Sequence, residues 1–280
     1  MRFGLHLPNF GAVGDPTTLA GLAADAEAAG WDGFFIWDHI LGDPTWRAPM
    51  VDPWVSLAAI ATATERIRLG ALVTAVPRRR PWQLARETTT LDRLSDGRLV
   101  VGVGMGFPPE AEFEHFGEDG DRKVHARRLD EGLEILKGLW SGEPFAFEGE
   151  HYKIRETVFL PTPVQRPHPP VWVAAHLPDD RLAPRPLRRA ARWDGVFPEL
   201  VKGGRLTPAR VTELLGYIRE HRAAAGPFDV VIGGRSGDLR EGQLEEYRNA
   251  GITWWLESSS PEMSLDDIRA RIQRGPEQPR

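Results

Sequence analysis

The sequence predicts a (β/α)8 barrel, one α/β unit with an insertion after its fourth strand and a hairpin inserted before its fifth. Three observations predict it. Strand and helix patterns alternate from one end of the chain to the other. The eight strand segments are mostly apolar and each is followed by a helical pattern, which demands a parallel sheet with helices outside. The length, 280 residues, is one at which such barrels close as a single domain. A doubly wound open sheet is the competing architecture, but eight repeats favour closure. The barrel is assigned to residues 1–273 and a C-terminal tail to 274–280.

The elements follow in order. Arg2-Leu7 is a short strand, and Asp15-Pro16 supplies a cap and a first-turn proline for a helix through Leu19, Leu22, Ala23 and Ala26, stopped at Gly30. Gly33-Trp37 is the second strand, and Asp52-Pro53 opens the next helix. Ile67-Val73 is the third strand, with its helix running from Pro81 to Leu94 and ending in the turn Ser95-Asp96-Gly97. Arg98-Val103 is the fourth. An insertion at 107–120 precedes a long amphipathic helix through Leu129, Leu133, Leu136 and Trp140. Residues 143–169 break the rhythm and read as the inserted hairpin and loop, which with 107–120 is expected to cover the pocket. Strands five to eight are Val171-Ala174, Asp194-Phe197, Phe228-Ile232 and Ile252-Leu256. Thr207-Pro208 caps one intervening helix, and Ser264-x-x-Asp267 is a capping box for the last.

Composition narrows the function. A net charge of −5 with dispersed Lys and Arg leaves no basic footprint for nucleic acid. The absence of cysteine excludes thiolate metal sites and thiol nucleophiles and suits a reducing cytosol. No apolar run has the length of a membrane span, so a cytoplasmic protein is expected. Ten tryptophans is a high number. Trp37, Trp172, Trp254 and Trp255 fall near strand ends, where they either wall a pocket for a planar ligand or, more commonly, fill core.

In this architecture the active site lies at the C-terminal ends of the strands. Trp37-Asp38-His39 follows strand two, Leu72-Val73-Thr74 ends strand three, Gly102-x-Gly104-x-Gly106 follows strand four, and Ala174-Ala175-His176 follows strand five. The glycine run lacks the G-x-G-x-x-G spacing of a dinucleotide turn and the Gly-Lys-Ser/Thr of a phosphate loop. It reads as a tight loop or as backbone that approaches a cofactor closely. His39 is the candidate for proton chemistry because imidazole titrates near neutral pH; the plain alternative is a loop histidine bonded to backbone. Asp38 beside it equally suits a helix cap. His6 stands alone rather than in a metal-binding pair, and no metal site is expected.

Five segments together resemble the bacterial luciferase-like superfamily. They are Gly33-Phe34-Phe35-Ile36-Trp37-Asp38-His39, Leu69-Gly70-Ala71-Leu72-Val73, the run from Pro81 through Leu91-Asp92-Arg93-Leu94-Ser95-Asp96-Gly97-Arg98 to Gly106, Pro169-Pro170-Val171-Trp172-Val173-Ala174-Ala175, and Ala190-Ala191-Arg192-Trp193-Asp194-Gly195. The third is the most specific. The resemblance implies reduced FMN or the deazaflavin coenzyme F-420 across the top of the barrel, its ring against a backbone bulge near Leu72, Val73 and Thr74, where such proteins often carry a cis peptide. It places the phosphate against main chain at Gly104, Met105 and Gly106 and at Ala174, Ala175 and His176.

By the same resemblance Asp38 joins the cofactor site and His39 is catalytic. His6, Trp46, Phe107 and Trp255 are assigned to the substrate pocket. Where deazaflavin sugar-phosphate and alcohol dehydrogenases carry a glutamate, this chain has Phe107, with Glu110 as a substitute to weigh; Ala175-His176 replaces a small glycine pair. The Asp38-His39 pair leans toward the deazaflavin, while Phe107 points to a more apolar substrate. The expected function is hydride transfer to, or oxygenation of, a small apolar organic molecule. A separate reductase supplying reduced cofactor and a homodimer are also implied. A non-catalytic flavin-binding protein of the same fold is the alternative, and it has no need of His39.

Overall fold

Three of the cap-proline pairs start helices as their chemistry dictates. The carboxylates of Asp15 and Asp52 accept the N–H groups of Thr18 and Val55, and the Thr207 hydroxyl accepts that of Arg210, each with proline as the first helical residue. The Ser264 hydroxyl likewise accepts the Asp267 N–H and donates to its carboxylate, so Ser264 caps the helix while the Asp267 carboxylate meets the hydroxyl rather than the backbone N–H that a capping box uses. The computed structural model describes residues 1–45 and 47–276. Trp46, assigned above to the substrate pocket, lies outside the described residues, as do 277–280 of the tail.

The strands are β1 (Arg2–Leu7), β2 (Gly33–Ile36), β3 (Arg68–Ala71), β4 (Thr74–Ala75), β5 (Val101–Gly104), β6 (Phe145–Glu148), β7 (Lys153–Thr157), β8 (Val171–Leu177), β9 (Gly195–Leu200), β10 (Asp229–Gly234) and β11 (Trp254–Ser258). The helices are α1 (Pro16–Ala28), α2 (Pro53–Ala63), α3 (Pro81–Leu94), α4 (Pro109–Glu112), α5 (Arg122–Ser141), α6 (Pro184–Ala190), α7 (Pro208–His221), α8 (Gln243–Asn249) and α9 (Leu265–Gln273). The main sheet runs in the order β3-β2-β1-β11-β10-β9-β8-β5-β4, and its pairings are all parallel. β3 and β4 are two halves of one barrel strand: β3 pairs with β2, β4 with β5, and a bridge between Leu69 and Leu99 completes the ring. The (β/α)8 barrel is therefore the fold.

The third predicted strand, Ile67-Val73, is interrupted where expected. The Leu72-Val73 peptide is cis, and the chain bends between β3 and β4. Strands five and six are longer than predicted, because β8 and β9 stay in register through His176↔Glu199 and Leu177↔Leu200.

Alternating side chains sort into two cores. Phe35, Leu72, Val100, Trp172, Phe197, Val231, Trp254 and Leu256 fill the lumen. The rings of Phe35, Trp172 and Trp254 stand 5.2–5.7 Å apart, from strands on different sides of the barrel. Gly33 leaves room for them, since a Cβ there would lie 2.6 Å from Phe35 and 2.8 Å from Trp254. Trp172 and Trp254 are thus core residues. Trp255 has the opposite parity and packs outward against Tyr247, its indole N–H donating to Glu257. This corrects its assignment to the substrate pocket.

The hairpin β6–β7 also departs from expectation. The Glu131 carboxylate of α5 accepts the N–H groups of Glu150, His151 and Tyr152, and Asp92 of α3 accepts those of Val164 and Gln165. These bonds tie residues 143–169 to the outer helices, away from the barrel mouth. Among the described residues, no helix is long and apolar enough to cross a membrane.

Candidate active site

The C-terminal ends of the strands open into a cleft of about 1110 Å³. Its lining includes many residues the sequence nominated: His6, Asp38 and His39; Leu72 and Val73; Gly104, Met105, Gly106 and Phe107; Ala174 and His176. Besides Trp255, two nominated residues point elsewhere. Ala175 alternates away from the lumen into the layer beneath the helices, and Thr74 is fully buried, its hydroxyl without a partner among the described residues. Neither side chain belongs to the cleft.

The glycine run is needed for close packing. A Cβ on Gly104 would meet the Val73 side chain at 2.9 Å, and Gly106 adopts φ +80°, a conformation that favours glycine. These residues let β5 press against the bend between β3 and β4. His6 fixes the same bend from the other side, its Nε2–H donating to the Leu72 carbonyl at 2.9 Å. Burial lowers the His6 pKa, which keeps the ring neutral.

His39 sits on a loop held by Asn9, whose amide donates to the carbonyls of His39 and Val51. Its Nδ1 is 3.0 Å from Oε1 of Glu112, a residue absent from the sequence-based candidates. The Glu112 carboxylate is 1% exposed and collects N–H donors from Ile40, Leu41 and Gly42 and from the Arg78 guanidinium. So many donors require an ionised acceptor. Nδ1 of His39 therefore carries the hydrogen, and Nε2 is left as a lone-pair acceptor with no protein partner among the described residues. The His39 pKa is lowered, first by burial and then by the positive charge of Arg78. At neutral pH the ring is a neutral base of fixed tautomer.

Asp38 is neither a helix cap nor a free ligand. Its carboxylate is 1% exposed and is bound by Arg78 and Arg79. Arg78 thus ties Asp38 to Glu112 beneath the cleft. The proposed substitute Glu110 is exposed, while Glu112, two residues on, does the contacting. Pro108, Pro109 and the short helix α4 turn Glu112 inward.

A second histidine–carboxylate pair stands across the mouth. His176 Nε2 is 3.0 Å from Glu199 Oε2, with both side chains about a third or more exposed (34% and 40%). Phe107 is edge-on to His176 at 5.9 Å and is 60% exposed on the rim. The floor between the two pairs is apolar, formed by Leu72, Val73, Met105 and Ala174, with Trp37 beside it. The outer wall, from α5 and α6, is cationic.

Comparison with known proteins gives a family. A family model described as luciferase-like monooxygenase matches residues 1–237. An uncharacterized protein of Mycobacterium tuberculosis is 41% identical over 125 residues, 45% of this chain and 43% of that one. The chain thus aligns with less than half the length of that relative. A second uncharacterized protein of the same organism is 30% identical over 261 residues, covering 86% of this chain and 85% of the relative. Among solved structures, a monooxygenase from Streptomyces bottropensis matches with a TM-score of 0.75 at 24% identity, over 98% of this chain and 97% of that one. The coenzyme F-420-dependent tetrahydromethanopterin reductase of Methanopyrus kandleri matches at 0.74 and 20%, over 98% of each chain. The oxygenating constituent of 3,6-diketocamphane monooxygenase from Pseudomonas putida, in complex with FMN, matches at 0.64 and 19%, over 84% of this chain and 67% of that one. At these identities the structural matches speak for the fold.

Proposed function

The chain belongs to the luciferase-like monooxygenase family, and from that premise we propose that it is an oxidoreductase using a reduced flavin-type coenzyme, FMN or deazaflavin F-420, on a small organic substrate with an apolar part. The observation that carries this reading is the His39–Glu112 pair, a neutral imidazole of fixed tautomer facing an apolar bed. The lining fits such a coenzyme. Leu72, Val73, Met105 and Ala174 offer a surface for a planar ring, the buried indole N–H of Trp37 has no partner among the described residues, and the cationic wall suits an anionic side chain.

When bound, the coenzyme supplies the electron pair, as hydride from the deazaflavin or as hydride or dioxygen chemistry from FMN. The protein's part is proton handling and placement. His39 would take up a proton from solvent at Nε2 and pass it to the substrate as the substrate gains hydride, the Glu112 carboxylate on Nδ1 stabilising the imidazolium in between. His6 holds the Leu72 carbonyl, and thereby the bed, in place. Phe107 on the rim favours an apolar substrate. A passive flavin carrier has no use for the buried pair. The reading extends to a separate reductase delivering reduced coenzyme and to a homodimer, the latter checked by light scattering.

Titration with FMN and with F-420, oxidised and reduced, tests the reading: at least one should bind and change its absorbance. Binding of neither would overturn it. His39→Ala should retain binding and lower turnover by about 10²–10⁴-fold, the usual worth of a positioned acid–base group. Unchanged turnover would remove His39 from the mechanism.

A further inference from the structure

We propose that His125, fully buried and outside the cleft lining, is a positioning residue for the proton-handling pair: its ring, pressed on Phe113, fixes the turn from which Glu112 reaches His39. The inference rests on the reading above, that the Glu112 carboxylate sets the His39 tautomer. The donors gathered on that carboxylate aim its oxygens, but the backbone that bears it needs a hold of its own. That backbone is α4, four residues long and too short to be stable by itself. The chain leaves α4 at Phe113, whose φ of −134° and ψ of −63° depart from the helical values.

Phe113 supplies that hold. Its carbonyl accepts the N–H groups of Phe116 and Glu118, so the insertion 107–120 turns around this one residue. Its ring is fully buried and confined by two neighbours. One is Gly106, where a Cβ would come within 2.7 Å of the ring, so the glycine loop closes directly on it. The other is His125, its ring centroid 3.9 Å away and its plane 32° from parallel.

His125 is the fourth residue of α5, a 20-residue helix capped by Asp121 and anchored in the core by Leu129, Leu133 and Leu136. Its Nε2–H donates to the Asp119 carbonyl at 2.6 Å, which closes the far end of the insertion and sets the ring against Phe113. A carbonyl only accepts, so Nε2 carries the hydrogen, and Nδ1 is buried with no partner among the described residues. Burial lowers the His125 pKa, which keeps the ring neutral. A polar atom buried without a partner costs stability, and a phenylalanine would escape that cost. What histidine adds is a donor for Asp119 on the same ring that meets Phe113. Two points of the insertion are thus tied to one rigid helix. Glu112 and Phe113 are consecutive, so a Phe113 released from His125 carries Glu112 with it. Once the contact at Nδ1 loosens, no group is left to dictate which His39 nitrogen holds the hydrogen.

The experiment is ring-nitrogen NMR at neutral pH on histidine-labelled protein, with no coenzyme or substrate added. Comparison with His39→Gln picks the His39 signals out of the eight histidines. Wild type should show one His39 tautomer, protonated at Nδ1 and bare at Nε2. His125→Ala should give a signature averaged over both tautomers, and its Phe113 and Glu118 amides should exchange with solvent about tenfold or more faster. His125→Phe, which keeps a ring on Phe113, should restore the wild-type His39 signature. His125→Leu fills the space without a flat face; it replaces the alanine variant where that one does not fold, and the same outcome is expected. A wild-type His39 signature in a folded His125→Ala or His125→Leu protein would overturn the proposal, even with a lowered unfolding midpoint, since lost stability alone is what a purely structural residue gives. So would a His125→Phe protein as averaged as the alanine one. If wild type itself shows mixed His39 tautomers, the fixed-tautomer reading falls, and this inference with it.

Discussion

The cleft holds two histidine–carboxylate pairs with the same 3.0 Å contact and opposite surroundings. In His39–Glu112 the carboxylate is 1% exposed and is ringed by backbone N–H groups and Arg78. In His176–Glu199 both partners are open to water (34% and 40% exposed). Distance alone therefore says little about what a pair does. The buried pair has one allowed tautomer because its carboxylate is locked as an acceptor. The open pair is screened, and water competes for both partners.

The largest difference should appear when each carboxylate is made neutral. Glu112→Gln leaves Arg78 under-compensated and puts an amide opposite backbone donors. It should lower kcat by about 10–100-fold and stability by about 3 kcal/mol, read from steady-state kinetics and denaturant unfolding. A wild-type kcat would break the contrast between the pairs.

A subtler change separates charge from burial at His39. Its pKa is lowered by burial first and by Arg78 second, so the base form persists below the usual histidine range. Arg78→Gln removes the second cause, raises the His39 pKa, and should move the acid limb of kcat/KM to higher pH. A limb that stays put, or moves to lower pH, would show that Arg78 does not tune the ring.

Buried neutral histidines also make stability pH-dependent. The folded pKa values of His6 and His39 lie below that of an unfolded histidine, about 6.5. Their contribution is therefore whole above about pH 6.5 and is lost as pH falls from there toward the folded values, where the unfolded chain binds protons first. The unfolding midpoint should drop through that window, and His6→Gln should flatten the slope. At the small end, Glu199→Gln should cost under about 1 kcal/mol, as exposed pairs do. A loss as large as that of Glu112→Gln would erase the distinction.

Locality explains what was legible. Asp15-Pro16, Asp52-Pro53 and Thr207-Pro208 are caps whose partners lie three residues away, so the sequence displays them whole. His39, Val73 and Gly104 were legible because strand ends define the mouth of the fold. Glu112 was not: its partners are Arg78, 34 residues away, and Gly42, 70 residues away. Asp38 looked like a cap because the arginines that neutralise it come from beyond the next strand. Trp254 and Trp255 are adjacent and equally aromatic, and only the register of β11 against β1 and β10 decides which enters the lumen. The hairpin was recognisable as a hairpin, but its docking on Glu131 was invisible to any local pattern.

The aromatic floor of Phe35, Trp172 and Trp254 makes the barrel a one-ended vessel. The lumen beneath the cleft is filled with side chains, so a molecule resting on Leu72 and Val73 would have packed core below it and could be approached only from the cleft side.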